Sequence, residues 1–272
     1  MQYSSSNWKH RLRSGFYNFI SPEAYITIMP VYYKIFNPKR RSCTYSFSVE
    51  DNGYILLSDE KTRFRFVGYR RLHRYVYPDG LERVKTKLKE KYCIPECKIE
   101  QGDIVVEIGA NVGEFTLMAS EKAKKIFSFD PDPDCFYCLN ENTRNLPNVE
   151  VIKAGASNET CTRAFYLSSE DADSSLIVPK TFSGKIEIDT IRLDTWMQTR
   201  GITKIDFLKL EAEGAEIEVL EGLGDKIDSV SKISVDGGPE RFGKPTFNEV
   251  NLFLKEKGFT TLIRGDHVFA WR

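Results

Sequence analysis

From residue 102 onward the chain repeats one pattern, a short apolar run followed by an amphipathic segment. GDIVVEIGA (102–110) precedes GEFTLMASEKA, KKIFSFD precedes DPDCFYCLNENTRN, IDFLKLE precedes EGAEIEVLEGL, and KISVDGG precedes TFNEVNLFLKEKGF. VEVIKAGAS (149–157) is a further short apolar run, read as a third strand. Runs that are apolar throughout, without alternation, belong to strands covered on both faces, and helical crossovers between them make those strands parallel. The pattern therefore predicts an α/β fold with a mostly parallel sheet. Helix signals agree: Asp132-Pro133 opens one helix, Ile217, Leu220 and Leu223 are three apart in another, and Gly258 closes the last. Between 158 and 197 the rhythm lapses into an acidic serine-rich loop, SSEDADSS, and an alternating run, KIEIDTIRLD, expected as an extra strand. FTTLIRGDHVFAWR ends the chain with two β-rich runs around Arg264-Gly265-Asp266, which predicts an antiparallel hairpin on the sheet.

The first 98 residues follow another logic. They hold 19 lysines and arginines against 9 acids, a net charge of +10, and the remainder of this electrically neutral chain therefore carries −10. Helical hints near 7–20, alternating segments at 44–57 and 62–67, and an amphipathic helix LERVKTKLKEKY (81–92) suggest an appendage, so the expected division is a basic appendage over 1–98 and an α/β domain over 99–272. The segment KTRFRFVGYRRLHRYVYP (61–78) interleaves six cations with five aromatics and has no acid. It suits a phosphate-bearing or lipid-linked glycan acceptor, an anionic membrane surface or nucleic acid, and an edge strand with a solvated arginine face explains it equally well. Trp8, Phe16, Tyr17 and Phe19 near Arg11 and Arg13 would suit peripheral membrane contact. The nearly uncharged run AYITIMPVYY is too short to span a bilayer, and MQYSSSNWKHRLR lacks a signal peptide's apolar core, so the expected location is the cytoplasm.

Cys93 and Cys97, with Cys135 and Cys138, have spacings compatible with zinc, but Cys135, Cys138 and Leu139 share one face of the expected helix and read as buried apolar positions. Cys43 and Cys161 stand alone, and no metal site is expected.

The ligand chemistry is concentrated in VVEIGANVGEFT (105–116). In open α/β sheets ligands sit at the carboxyl ends of strands. Gly109 and Gly113 allow a sharp turn and close approach of a ligand to the backbone around Asn111, and Glu107 places a carboxylate just ahead of the loop. The spacing is not GxGxxG, and an acid there repels a pyrophosphate but suits an ammonium or sulfonium. Asp130 lies 21 residues beyond Gly109, where a carboxylate accepts hydrogen bonds from ribose hydroxyls. A ribose-bearing, cationic ligand without a pyrophosphate points to S-adenosylmethionine.

Together VVEIGANVGEFT, FSFDPDP, VIKAGAS, IDTIRLDTW and FLKLEAEGAEIEVLEG closely resemble the FkbM-type methyltransferase family over roughly residues 100–260. The resemblance implies a class I methyltransferase, Rossmann-like, with a seven-stranded mostly parallel sheet in the order 3-2-1-4-5-7-6. It also implies S-adenosyl-L-methionine as cofactor and O-methylation of a saccharide or related small molecule. The expected cofactor residues are Glu107, Gly109, Asn111, Gly113, Asp130 and Ala156. The sequence departs from the family where it has Glu107 and Glu211, each more often aspartate. Methyl transfer to an alcohol needs an aligned oxygen and a proton acceptor. Lys209, Glu211 and Glu213, at the end of the fourth strand, and Asp236, at the end of the fifth with Glu240 just beyond, are the expected catalytic residues. Acids in a helix's first turn also stabilise its dipole, which accounts for Glu213 and Glu216 without any catalysis. Neither His10, His73 nor His267 is expected near the ligand. Two other readings remain open, a binding or scaffold protein without turnover and a nucleic-acid methyltransferase. The absence of an Asn/Asp-Pro-Pro-aromatic block argues against the latter.

Overall fold

The computed structural model describes residues 24, 27–28, 46–58, 62–67, 77, 80–167 and 174–272. The expectations for residues 7–20, for most of 61–78 and for most of SSEDADSS lie outside the described residues. The chain divides into two compact units, Met1–Val84 and Lys85–Arg272. Helix α1 (Leu81–Tyr92) crosses that boundary, which puts residues 85–98 in the same unit as the α/β sheet. Among the described residues no helix is long and apolar enough to cross a membrane.

In the first unit, strands β1 (Ser46–Val49), β2 (Ile55–Ser58) and β3 (Arg63–Phe66) form an antiparallel sheet in that order. The RFRF alternation of β3 works as period two requires: Phe64 and Phe66 are fully buried, and Tyr77 stacks on Phe66 with ring centroids 4.6 Å apart. Arg65 on the opposite face makes a bidentate pair with Glu50.

The second unit is built on a seven-stranded sheet. Its members are β4 (Ile104–Ile108), β5 (Lys125–Phe129), β6 (Val149–Ile152), β10 (Phe207–Leu210), β11 (Lys232–Asp236), β12 (Thr260–Arg264) and β13 (His267–Trp271), in the order β12-β13-β11-β10-β4-β5-β6. Read from the other edge, with only these strands counted, this is 3-2-1-4-5-7-6. All neighbours are parallel except β13, which runs antiparallel to β11 and β12. The expected topology and terminal hairpin are both present. IVVEI and FLKL are buried almost throughout because helices cover both faces.

The crossovers include α2 (Glu114–Ser120), α3 (Pro133–Thr143), α4 (Leu193–Thr199), α5 (Glu216–Glu221) and α6 (Phe247–Glu256). Asp132 caps α3 by accepting the Asp134 and Cys135 amides, with Pro133 in the first helical position, and Cys135, Cys138 and Leu139 form its buried face. One large core lies where α4, α5 and α6 meet the sheet, containing Leu208, Leu210, Val219, Leu220, Val235 and Leu254.

Two local expectations are corrected. VEVIKAGAS is not one strand: the Ala154 amide turns back to the Ile152 carbonyl, and β7 (Gly155–Ala156) leaves the main sheet. It joins a separate sheet, ordered β7-β9-β8, with β8 (Cys161–Leu167) and β9 (Gly184–Ile191), the latter being the expected extra strand. The helix expected over EGAEIEVLEGL is short. Glu213 and Gly214, at φ 49° and 97°, delay its start to Glu216, and it ends at Glu221 ahead of a 3-10 turn over Gly224–Ser229.

Candidate active site

The carboxyl ends of β4, β5, β10 and β11 lie side by side, which is where the sheet order reverses between β4 and β10. After β4 the chain turns through Gly109, Asn111 and Gly113, at φ 73°, 53° and 96°. Asparagine tolerates the left-handed region better than most side chains, so the GANVG spelling matches this backbone. The two glycines also sit tight against the fold. A Cβ on Gly109 would lie 2.0 Å from the Glu211 carbonyl oxygen, and one on Gly113 would lie 2.8 Å from Leu139 Cδ1. The expected sharp turn is present, and the missing side chains make room for the protein itself.

Asp130 receives this turn. Its Oδ2 accepts the Asn111 amide at 2.6 Å and its Oδ1 the Asp132 amide at 3.0 Å. Burial, reinforced by the negative charge of Asp132, pushes its carboxyl up to about 7.

Beneath the turn a polar row crosses the sheet at paired positions, Ser128 beside Glu107, Glu107 beside Lys209 and Lys209 beside Ser234. All four are at most 2% exposed, in a layer where apolar residues are the rule. Glu107 Oε2 accepts the hydroxyls of Thr116 and Ser128, while Oε1 has no hydrogen-bond partner and lies 3.9 Å from Lys209 Nζ. Burial is the dominant influence and lifts its carboxyl to about 7 despite the lysine.

Lys209 Nζ donates to the Gly109 carbonyl at 2.5 Å and pairs with Glu211 Oε2 at 3.0 Å. Glu211 is further held by the Tyr92 hydroxyl at 2.7 Å and Lys91 Nζ at 3.1 Å. Burial alone would raise its pKa, but Lys209, then Lys91 and the Tyr92 hydroxyl, hold it well below the usual carboxylate range. Lys91 also pairs with Asp236 at 2.8 Å, and Asp236 Oδ1 lies 3.7 Å from His267 Nδ1. The result is a charged chain, Lys209–Glu211–Lys91–Asp236, ending on the His267 imidazole, whose pKa burial lowers below its ordinary value. The aromatic ring of Tyr92 covers it, edge-on to His267 at 5.2 Å and under Lys209 at 5.3 Å.

A sequence profile of the methyltransferase FkbM domain matches residues 107–261 of this chain. The chain belongs to the FkbM methyltransferase family. Among its relatives, the hexuronic acid methyltransferase AglP of Haloferax volcanii is 30% identical over 138 residues, 50% of this chain and 56% of that protein. The 2-O-methyltransferase NoeI of Sinorhizobium fredii is 26% identical over 165 residues, 54% of this chain and 68% of that protein. The chain thus spans less than two thirds of the first relative's length. The crystal structure of a methyltransferase FkbM from Methylobacillus flagellatus is similar at a TM-score of 0.45 and 15% identity, over 75% of this chain and 53% of that one.

In this FkbM-family chain the structure brings Glu107, Gly109, Asn111, Gly113 and Asp130 together around the first strand end, and Lys209, Glu211 and Asp236 around the second. Ala156 is 3% exposed and belongs to the core beside the small sheet. Glu213 adopts φ 49° in the turn before α5, where its carbonyl accepts the Ser175 hydroxyl at 2.7 Å. Glu216 is fully buried and ties that turn together, taking the Ala212 and Gly214 amides and the Thr246 hydroxyl. It serves the helix start, as a first-turn acid does. Glu240 folds back over Gly238, and its carboxyl is raised to about 7 by burial and by the nearby Asp236, Glu216 and Glu211.

Three residues escape the sequence reading. His267 was not expected near the site, yet the antiparallel register sets it opposite Asp236. Lys91 and Tyr92 come from a helix read as part of the appendage and lie 120 and 119 residues from Glu211. The only sequence signal for them was the lysine face of that helix.

Proposed function

We propose that this chain transfers a methyl group from S-adenosylmethionine to a hydroxyl of a saccharide or related small molecule, with residues 99–272 as the methyltransferase domain. The observation that carries the reading is the Gly109–Gly113 turn folded onto Asp130 beside a buried, incompletely satisfied Glu107. These residues fit the cofactor. Asp130 keeps lone pairs beyond its two backbone donors for ribose hydroxyls, and a cation near the orphaned Glu107 oxygen favours its ionised form. The bound cofactor supplies an electrophilic methyl group on a sulfonium. The names of the relatives, one acting on a hexuronic acid and one on a 2-hydroxyl, support a sugar hydroxyl as acceptor.

The chain's own tasks are to orient the acceptor oxygen and to take its proton. Lys209 is 2% exposed and committed to the Gly109 carbonyl, so its part is to hold the turn and keep Glu211 ionised. Glu211 already serves three donors, which makes it a poor proton acceptor and a good anchor for Lys91 and Tyr92. Asp236 keeps 20% of its side chain exposed at a strand end, and we assign it the proton, with Lys91 and His267 setting its orientation.

Calorimetric titration with S-adenosylmethionine tests the reading. Wild type should bind, and Asp130→Ala should lose at least about tenfold in affinity, the scale of a lost charge-assisted hydrogen-bond pair. Absence of binding by the wild type refutes the cofactor assignment. Binding without methyl transfer to any of a panel of glycosides leaves a non-catalytic binding protein as the better reading.

A further inference from the structure

One turn near the proposed acceptor side is built against its own backbone preferences. Arg241 and Lys244 form an isolated antiparallel bridge closed by the Lys244 amide on the Arg241 carbonyl at 2.9 Å. The two residues between them, Phe242 and Gly243, both have positive φ, 55° and 78°. This is the geometry of a tight I′-like turn, whose first central position favours asparagine, aspartate or glycine. A bulky aromatic there is strained, and it gains nothing from burial, because Phe242 is 68% exposed, the most of any large apolar side chain described.

The surroundings hold the turn in place. The Arg241 guanidinium grips the Gly214 carbonyl at 2.8 Å and Glu218 at 2.8 Å, and Gly214 has no side chain because a Cβ would lie 3.0 Å from the Arg241 amide. Thr246, at the far end, bonds to Glu216. Phe242 therefore projects from a fixed base two residues after Glu240, whose carboxyl is raised to about 7 by burial and by the negative charges of Asp236, Glu216 and Glu211. The second strand of chain at this place is 178–182. A Cβ on Gly243 would lie 3.8 Å from Lys180 Nζ, and Val178 and Phe182 flank that lysine, 47% and 45% exposed. Lys180 and Lys244 are both exposed, and among the described residues neither has an ion-pair partner, although the Lys85–Arg272 unit is rich in acids.

We propose that the Arg241–Lys244 turn is the acceptor grip, with Phe242 stacking on the apolar face of a pyranose ring and Lys180 and Lys244 pairing with an anionic group on that sugar, a carboxylate or a phosphate. A rigid aromatic loses little conformational freedom on stacking, and two uncompensated ammonium groups favour an anionic over a neutral sugar. This rests on the methyltransferase reading for its purpose, but not for its test.

The test titrates three probes, methyl glucuronide, glucose 6-phosphate and methyl glucoside, into the full chain saturated with S-adenosylhomocysteine, followed by ligand-observed NMR. Wild type should bind the two anionic sugars about tenfold or more tighter than methyl glucoside, as charge-assisted contacts imply. Phe242→Ala should weaken all three by roughly fivefold or more and Phe242→Tyr should restore binding, while Lys180→Gln with Lys244→Gln should erase the anionic preference alone. The tighter of the two anionic probes identifies the group recognised. Equal affinities for wild type and Phe242→Ala, or no preference for anionic sugars in the wild type, overturn the proposal. Calorimetry with S-adenosylhomocysteine separates the two claims: its failure sinks the methyltransferase reading, while the same sugar titrations repeated on the chain alone still decide the turn.

Discussion

Three carboxylates at the ends of neighbouring strands behave in two opposite ways. Glu107 and Asp130 are buried with hydroxyl and amide donors, and both are lifted to about 7. Glu211 is only partly buried, with 29% of its side chain exposed, and is held well below the usual range, because Lys209 and Lys91 reach it within 3.1 Å. Burial alone thus does not set the charge of a strand-end acid; the distance to a cation does. Lys209 is 3.9 Å from Glu107 but 3.0 Å from Glu211, and Lys91 and the Tyr92 hydroxyl add to the hold on Glu211, so the two acids shift in opposite directions.

The comparison can be broken most violently at the turn both halves share. Gly109→Ala must place a methyl group where the Glu211 carbonyl stands 2.0 Å away, at φ 73°, and should cost more than about 4 kcal/mol, read as a collapsed thermal midpoint or insoluble protein. A variant that melted within a few degrees of wild type would show that the two halves are not mechanically joined there. Lys209→Met comes next. It removes the buried partner of Glu211 and the donor to Gly109, and should cost about 3 kcal/mol in urea unfolding, whereas Lys91→Met, at a side chain 38% exposed, should cost less than about 1 kcal/mol.

A further effect concerns pH. Glu107 and Asp130 bind their protons more tightly folded than unfolded, so their stabilising contribution is complete below about pH 4 and declines as pH rises toward and through about 7. Glu211 works the other way, losing its contribution only as pH falls below the unfolded value of 4.5. Stability should therefore fall between pH 5 and 8, and Glu107→Gln should flatten that fall by on the order of 2 kcal/mol in denaturant titrations at both pH values. An unchanged slope would mean that Glu107 is ionised throughout and that the contrast with Glu211 is false.

Much of this was legible in the chain. The strands declared themselves because a doubly covered strand such as IVVEI or FLKL has no polar face, and the hairpin because Arg264-Gly265-Asp266 interrupts two β-rich runs. The break after Ile152 was not legible, since VEVIKAGAS has the composition of one strand and only the pairing of Gly155–Ala156 with β9 divides it. The cluster at the strand ends was half legible. Glu211 and Asp236 follow from their positions, but Tyr92 and Lys91 depend on contacts across more than a hundred residues, and His267 depends on a register that no local pattern encodes. The glycines were half legible: their positive φ was implied by the turn, while the atoms that crowd their missing side chains come from elsewhere in the fold.

Asp132 has a practical consequence. One of its oxygens caps α3, and the other accepts the Ser174 hydroxyl at 2.8 Å, next to Ser175, whose hydroxyl holds the Glu213 carbonyl. Asp132 is thus a joint between the corner after β5 and the segment that runs out to exposed Val178. Through Ser174 and Ser175 one carboxylate ties the start of α3 to the turn before α5, so a substitution at Asp132 loosens both at once.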